Sequence, residues 1–163
     1  MIVVADTSVV LNLARAGHDG LLRALFQEVW IPPEVLREFR RQASENPRFR
    51  GLQPPSWLQV RAPATIPDTI HANSLLDEGE QAALALALQL HADAILIDEE
   101  NGRAAAEQLG LNRIGILGVL LRAKVHGLIP SVAPILTRLA QDAGFWMSDV
   151  LRREVLALAG ENS

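Results

Sequence analysis

The chain has 163 residues, a formal net charge of −4, 49% hydrophobic and 4% aromatic residues, and no cysteine. That length suits one domain with a real core, and the hydrophobic content excludes a disordered chain. The missing cysteine excludes disulfides and thiolate zinc sites, and the acidic balance excludes a generally basic nucleic-acid coat.

Met1 to Asp6 lacks the basic and long apolar regions of a signal peptide, and no apolar run is long enough to span a bilayer. A soluble cytoplasmic protein without a membrane partner is expected. Residues 2–5 are β-branched and do not alternate, which predicts a buried strand. A helix follows from Ser8 to Ala16 and stops at Gly17; Asp19 then suits the cap of a short helix, Gly20 to Phe26. Val29 to Ile31 reads as a second strand. Pro33 opens a helix that runs to about Gln42. Ala43 to Pro55 contains three prolines and is expected to be a loop, the most mobile part of the chain. Trp57 to Val60 suits a short edge strand, whereas Ala64 to Leu76 shows no clear period.

The Ala- and Leu-rich stretch Gly79 to Leu90 predicts the clearest helix, and Ala94 to Ile97 a central strand. A helix over about Gly102 to Leu109 stops at Gly110, and Ile114 to Leu117 suits a fifth strand. Gly118 to Val125 reads as helical. Ser131 suits the cap of a helix to Ala143, and Ser148 the cap of the last one, which ends before Gly160. Strands alternating with helices predict an α/β fold with a mostly parallel sheet. Residues 1–163 read as a single domain, with residues 131–160 as a helical extension of it.

Two of the predicted strands stop at an acid, Asp6 and Asp98. In an open parallel sheet both would face the crevice outside the strand ends, where ligands bind. Clustered oxygen donors there suit a hard cation, Mg²⁺ or Mn²⁺. Each acid also suits an ordinary helix cap. Glu80 opens a helix with Asp77 and Glu78, where acids complement the dipole; Gln81, Leu84 and Leu88 turn its face toward apolar neighbours, which favours it as a ligand. Asp77 and Glu78 suit solvent or the cap. Glu38 lies beside an apolar helix face and also suits a surface ion pair with Arg37 or Arg41. Arg37, Arg40, Arg41, Arg48 and Arg50 form a local basic run, readable as a solvated face or as a phosphate-contacting rim. Arg103 suits phosphate or the acids themselves. Trp57 and Trp146 are read as core anchors, and no Ser, Cys or His is placed as a nucleophile.

Several segments resemble PIN-domain ribonucleases: Val3-Val4-Ala5-Asp6-Thr7-Ser8, Ile31 to Phe39, Leu76 to Ala87 and Ala94 to Glu100. The series GEQAALALA at Gly79 to Ala87, ILIDEENGR at Ile95 to Arg103 and GILGVLLRAKVHGLIP at Gly115 to Pro130 resembles the GE…ALALA, LLIDE…GR and GxLGVLLRAKxxGLIP series of a VapC-like toxin subgroup, as does Gly144 to Asp149. The resemblance covers nearly the whole chain. It implies a PIN-like three-layer fold, a five-stranded sheet between helices with extra C-terminal helices. It implies a Mg²⁺- or Mn²⁺-dependent endonuclease of single-stranded RNA, the toxin of a type II toxin–antitoxin pair held by a small antitoxin, and a homodimer. An inactive PIN-like module binding protein or RNA is the alternative. Carried over, Asp6, Glu38, Glu80 and Asp98 are the catalytic acids, with Asp6, Glu80 and Asp98 on the metal. Glu99 and Glu100 compete with Asp98 for that place. Ser8, Arg37, Arg41 and Arg103 are the expected substrate contacts.

Overall fold

The computed structural model describes residues 1–161. Strand β1 (Ile2–Ala5) stands in the middle of a five-stranded sheet with β2 (Glu28–Ile31) on one side and β4 (Ala94–Leu96) on the other. The short strands β3 (Gln59–Val60) and β5 (Arg113–Ile114) are the edges, giving the order β3-β2-β1-β4-β5. Every pairing is parallel. Val3, Val4 and Ala5 are fully buried, as a strand covered on both faces requires.

Sequence order reverses at the β1–β4 junction. The chain first builds outward through β2 and β3, then returns across β1 to lay down β4. Ala5 pairs with Leu96, and the Asp6 N–H donates to the Leu96 carbonyl at 2.9 Å. Ligand crevices form at such a switch point, outside the carboxyl ends of the strands.

Helices flank the sheet. After β1 come α1 (Thr7–Arg15) and α2 (Gly20–Leu25); after β2 comes α3 (Pro33–Glu45). Helix α3 extends three residues past Gln42, because Ala43, Ser44 and Glu45 carry no breaker. The unpatterned stretch after β3 holds one helical turn, α4 (Asp68–His71). Helix α5 (Glu78–Gln89) packs on α3, β1 and β4, and residues 82–87 are all buried. A helix apolar on every side belongs inside the fold, and its alanines let it approach the sheet closely.

Helix α6 (Glu100–Gln108) joins β4 to β5, and α7 (Ile116–Val125) follows. The fifth strand is thus shorter than its apolar pattern suggests: Ile116 and Leu117 already belong to α7. Helix α8 (Ala133–Asp142) packs on α1, and α9 (Asp149–Leu158) on α7.

Two caps differ from expectation. Asp19 has helical backbone angles and makes no side-chain cap. Ser131 does not cap α8 either. Glu161, brought back past the end of α9, accepts the Val132 and Ala133 N–H groups at 2.7 and 3.1 Å, together with Lys124 Nζ at 2.8 Å. These are orphan amides at the start of α8, and a distant carboxylate satisfies them. Ser148 does cap α9, accepting the Leu151 N–H at 3.1 Å.

Candidate active site

Asp6 sits where β1 passes into α1, with extended angles (φ −84°, ψ 162°) that make it the N-cap. Its side chain makes no capping bond. It is 5% exposed and lines a cleft of about 790 Å³. Burial pushes its carboxyl up to about 7; the Thr7 N–H opposes the rise, and the charges of Glu80, Asp77 and Glu99 add to it.

Glu80 and Asp77 form a capping box at the start of α5. Asp77 Oδ1 accepts the Glu80 N–H at 2.7 Å, and Glu80 Oε1 accepts the Asp77 N–H at 3.0 Å. Glu80 is also 5% exposed, and its second oxygen, Oε2, is buried with no hydrogen-bond partner. Burial raises its pKa above the usual range; the Asp77 N–H opposes this, and the charges of Asp77 and Glu99 add to it. One glycine leaves room here: a Cβ on Gly102 would meet Ile97 and lie 2.9 Å from Glu80 Oε2.

Helix α3 supplies the opposite wall. Glu34, Glu38, Gln42 and Asn46 follow one another at i, i+4 and all line the cleft. Arg41 grips Glu38 with two bonds, Nε to Oε2 at 2.8 Å and Nη2 to Oε1 at 2.7 Å. Gln42 Nε2 adds a third at 3.1 Å, and Asn46 Nδ2 donates to Gln42 Oε1 at 2.9 Å. The Arg41 bonds hold the Glu38 carboxyl below its ordinary range. This acid is ionised while its buried neighbours resist ionisation.

The other predicted residues fall in two groups. Ser8 lines the cleft, its Oγ buried and without a partner. Arg37 and Arg41 stand at the rim, but carboxylates engage both: Arg37 faces Glu34 at 3.7 Å, and Arg41 bonds Glu38 and Glu45. Asp98 and Arg103 are not part of the lining. Both Asp98 oxygens face the Ile116 N–H, at 3.2 and 3.3 Å, at the start of α7. Burial pushes its carboxyl up to about 6, the Ile116 N–H and the Arg103 charge oppose this, and the Glu99 charge adds to it. The following residue, Glu99, lines the cleft instead. Successive side chains of an extended segment point to opposite sides, so only one of this adjacent pair faces the cleft.

Gln42, Asn46 and Asn12, not singled out by their type, also line the cleft. Their signal was spacing: Gln42 and Asn46 continue the Glu38 stripe, and Asn12 stands one turn after Ser8. Trp146 is a correction of another kind. Expected in the core, it is 82% exposed. Trp57 does pack against the core.

Among the described residues no three acidic or histidine side chains converge into a ready-made metal cage. Mg²⁺ asks for less, keeping several waters and taking one or two carboxylates. The donors fit a hard cation: all are oxygens, Glu80 Oε2 has no partner, and a positive charge beside Asp6 and Glu80 would favour the ionised forms that burial disfavours.

Comparison with curated proteins gave no match. Comparison with protein families gave one described as "DUF3368: PIN domain", which matches residues 2–161. A PIN domain is a nuclease-type fold. The parallel sheet, the acids gathered at its switch point and a match over nearly the whole length agree: the chain belongs to the DUF3368 family of PIN domains.

Proposed function

We propose that this PIN domain is a metal-dependent endonuclease that hydrolyses phosphodiester bonds of single-stranded RNA. The observation that carries the reading is the pair Asp6 and Glu80: two buried carboxylates, one with an oxygen that has no partner, at the floor of an open cleft. An isolated buried charge is costly unless something compensates it.

Asp6 and Glu80 would hold Mg²⁺ or Mn²⁺, with Glu99 of the same cleft as a further oxygen donor. Bound there, the ion supplies charge that offsets the phosphate and lowers the pKa of a coordinated water. Glu38, kept ionised by Arg41 and Gln42, would orient an attacking water from the cleft wall; its lowered pKa makes it a weak base. Ser8 lines the same cleft and would reach a phosphate oxygen once its buried, unpartnered Oγ turned outward. Asp98, engaged with Ile116, orients the backbone that presents Glu99, and the Arg103 charge favours its ionised form. Substrate contacts at the rim fall to Arg37 and Arg41.

The reading extends to a toxin of a type II pair, with a small antitoxin covering the cleft and a homodimer as the working form. We take residues 1–163 as one unit acting in the cytoplasm; no described helix is long and apolar enough to cross a membrane.

The test is cleavage of end-labelled unpaired RNA with Mn²⁺ or Mg²⁺, for wild type, Asp6→Asn and Glu80→Gln. Cleavage that EDTA stops and that both folded variants lose supports the reading. No cleavage, together with no Mn²⁺ binding by calorimetry, overturns it in favour of an inactive binding module.

A further inference from the structure

Trp146 lies on the connection between α8 and α9 with 82% of its surface in water. A tryptophan ordinarily contributes a large buried area to a core, so here the fold gains little from it. Two residues before it, Gly144 adopts φ +71°, and the Arg48 guanidinium lies against that glycine: a Cβ there would sit 2.5 Å from Arg48 Nη1. Trp146 is therefore within about 7 Å of chain from the arginine contact.

Arg48 belongs to the turn after α3, and its neighbours Asn46 and Phe49 line the cleft. The Arg48 carbonyl accepts Arg15 Nε–H at 2.7 Å. Arg15 is one turn beyond Asn12, another cleft residue. The fold thus places Arg15 and Arg48 beside the cleft residues Asn12 and Asn46, and Trp146 two residues from the glycine that Arg48 packs against. Among the described residues neither Arg15 nor Arg48 makes an ion pair, whereas Arg37 and Arg41 are both engaged by carboxylates.

We propose that Arg15, Arg48 and Trp146 form a subsite for single-stranded RNA away from the scissile bond, the guanidinium groups on phosphates and the indole stacked on a base. The inference rests on the ribonuclease reading and names where its substrate is gripped. An acidic cleft repels phosphate, so affinity must come from cations beyond the acids. A lone exposed ring can stack only on an unpaired base, which selects a single strand.

The test measures binding of a fluorescein-labelled twelve-nucleotide RNA without secondary structure, about 12 residues being enough to cover such a track. The parent is Asp6→Asn, compared with versions that also carry Trp146→Ala, Trp146→Phe, Arg48→Gln or Leu158→Ala. Circular dichroism checks each fold. Trp146→Ala and Arg48→Gln should each weaken binding about tenfold. Trp146→Phe should keep most of the affinity, because a phenyl ring still stacks. Leu158→Ala, at the other end of α9, should bind as the parent does. Binding undiminished in Trp146→Ala and Arg48→Gln overturns the subsite and leaves the ribonuclease reading standing. If the parent binds no RNA and wild type cleaves none, the ribonuclease reading falls and the subsite with it.

Discussion

Both oxygens of Asp98 face the Ile116 N–H, at 3.2 and 3.3 Å, and tie the end of β4 to the start of α7. The carboxylate that ends a strand here serves the next helix, and the residue after it serves the cleft. Asp98→Ala should therefore cost about 1–2 kcal/mol of stability near pH 4 by leaving that amide without its acceptor. The loss should shrink toward pH 7, because burial raises the Asp98 carboxyl to about 6 and its ionisation opposes folding. Glu99→Gln should leave stability within about 0.5 kcal/mol and lower kcat/KM on RNA by about tenfold or more. Urea unfolding and cleavage assays on the two variants check this. The reverse pattern would make Asp98 the donor to the metal.

Burial holds the Asp6 carboxyl at about 7, above its ordinary 3.8. Its ionisation therefore opposes folding, not at all below about pH 3.8, progressively up to about 7, and fully above that. In metal-free buffer Asp6→Asn should be more stable than wild type by about 1–3 kcal/mol at pH 8, and the gain should disappear toward pH 4. Thermal unfolding of both proteins across this range measures it. A variant less stable than wild type at pH 8 would contradict the assigned burial cost. Catalysis should be lost in the same variant, as expected where a site is built against stability.

Gly102 leaves space that the Glu80 carboxylate uses. In an open helix, Gly→Ala should stabilise by about 1 kcal/mol. At this position the new methyl would crowd Ile97 and lie 2.9 Å from Glu80 Oε2. Gly102→Ala should instead destabilise by about 1–3 kcal/mol and weaken Mn²⁺ binding, as measured by calorimetry. Unchanged Mn²⁺ affinity would remove Glu80 Oε2 from the proposed donors.

Glu161 shows the opposite titration to Asp6. Its bonds from Lys124, Val132 and Ala133 hold its carboxyl down at about 2, below the ordinary 4.5. The stabilisation is present above about pH 4.5 and is lost as pH falls toward 2. Glu161→Gln should cost about 1–2 kcal/mol at pH 7, and the difference from wild type should shrink between pH 5 and 3. Equal melting temperatures at pH 7 would show that this carboxylate does not hold the two helices.

The strands and most helices were legible because local signals agree with the fold. The β-branched run at Ile2 to Ala5 has no other use, and the alanine–leucine pattern of α5 suits only a buried helix. Legibility failed where distant parts of the chain meet. Ser131 looked like a cap, but the carboxylate that serves α8 comes from Glu161, 30 residues on, and no local pattern announces it. Asp98 and Glu99 are adjacent acids at a strand end, and only the three-dimensional path decides which one turns inward. Trp146 misled because its type predicts burial, whereas its connection leaves it in water. The polar stripe Glu38, Gln42 and Asn46 was readable from spacing alone.

Strand β1 is made first and stands at the centre, yet one of its two neighbours, β4, begins some 90 residues later, and the Asp6 amide finds its acceptor only at Leu96. On a ribosome, the first ninety or so residues would emerge with β1 still lacking its β4 neighbour. Glu99 reaches the cleft only once β4 has been made and has paired with β1. A chain that ended before β4 would carry Asp6, Glu38 and Glu80 but not Glu99, and the Asp6 amide would lack the Leu96 carbonyl that holds it.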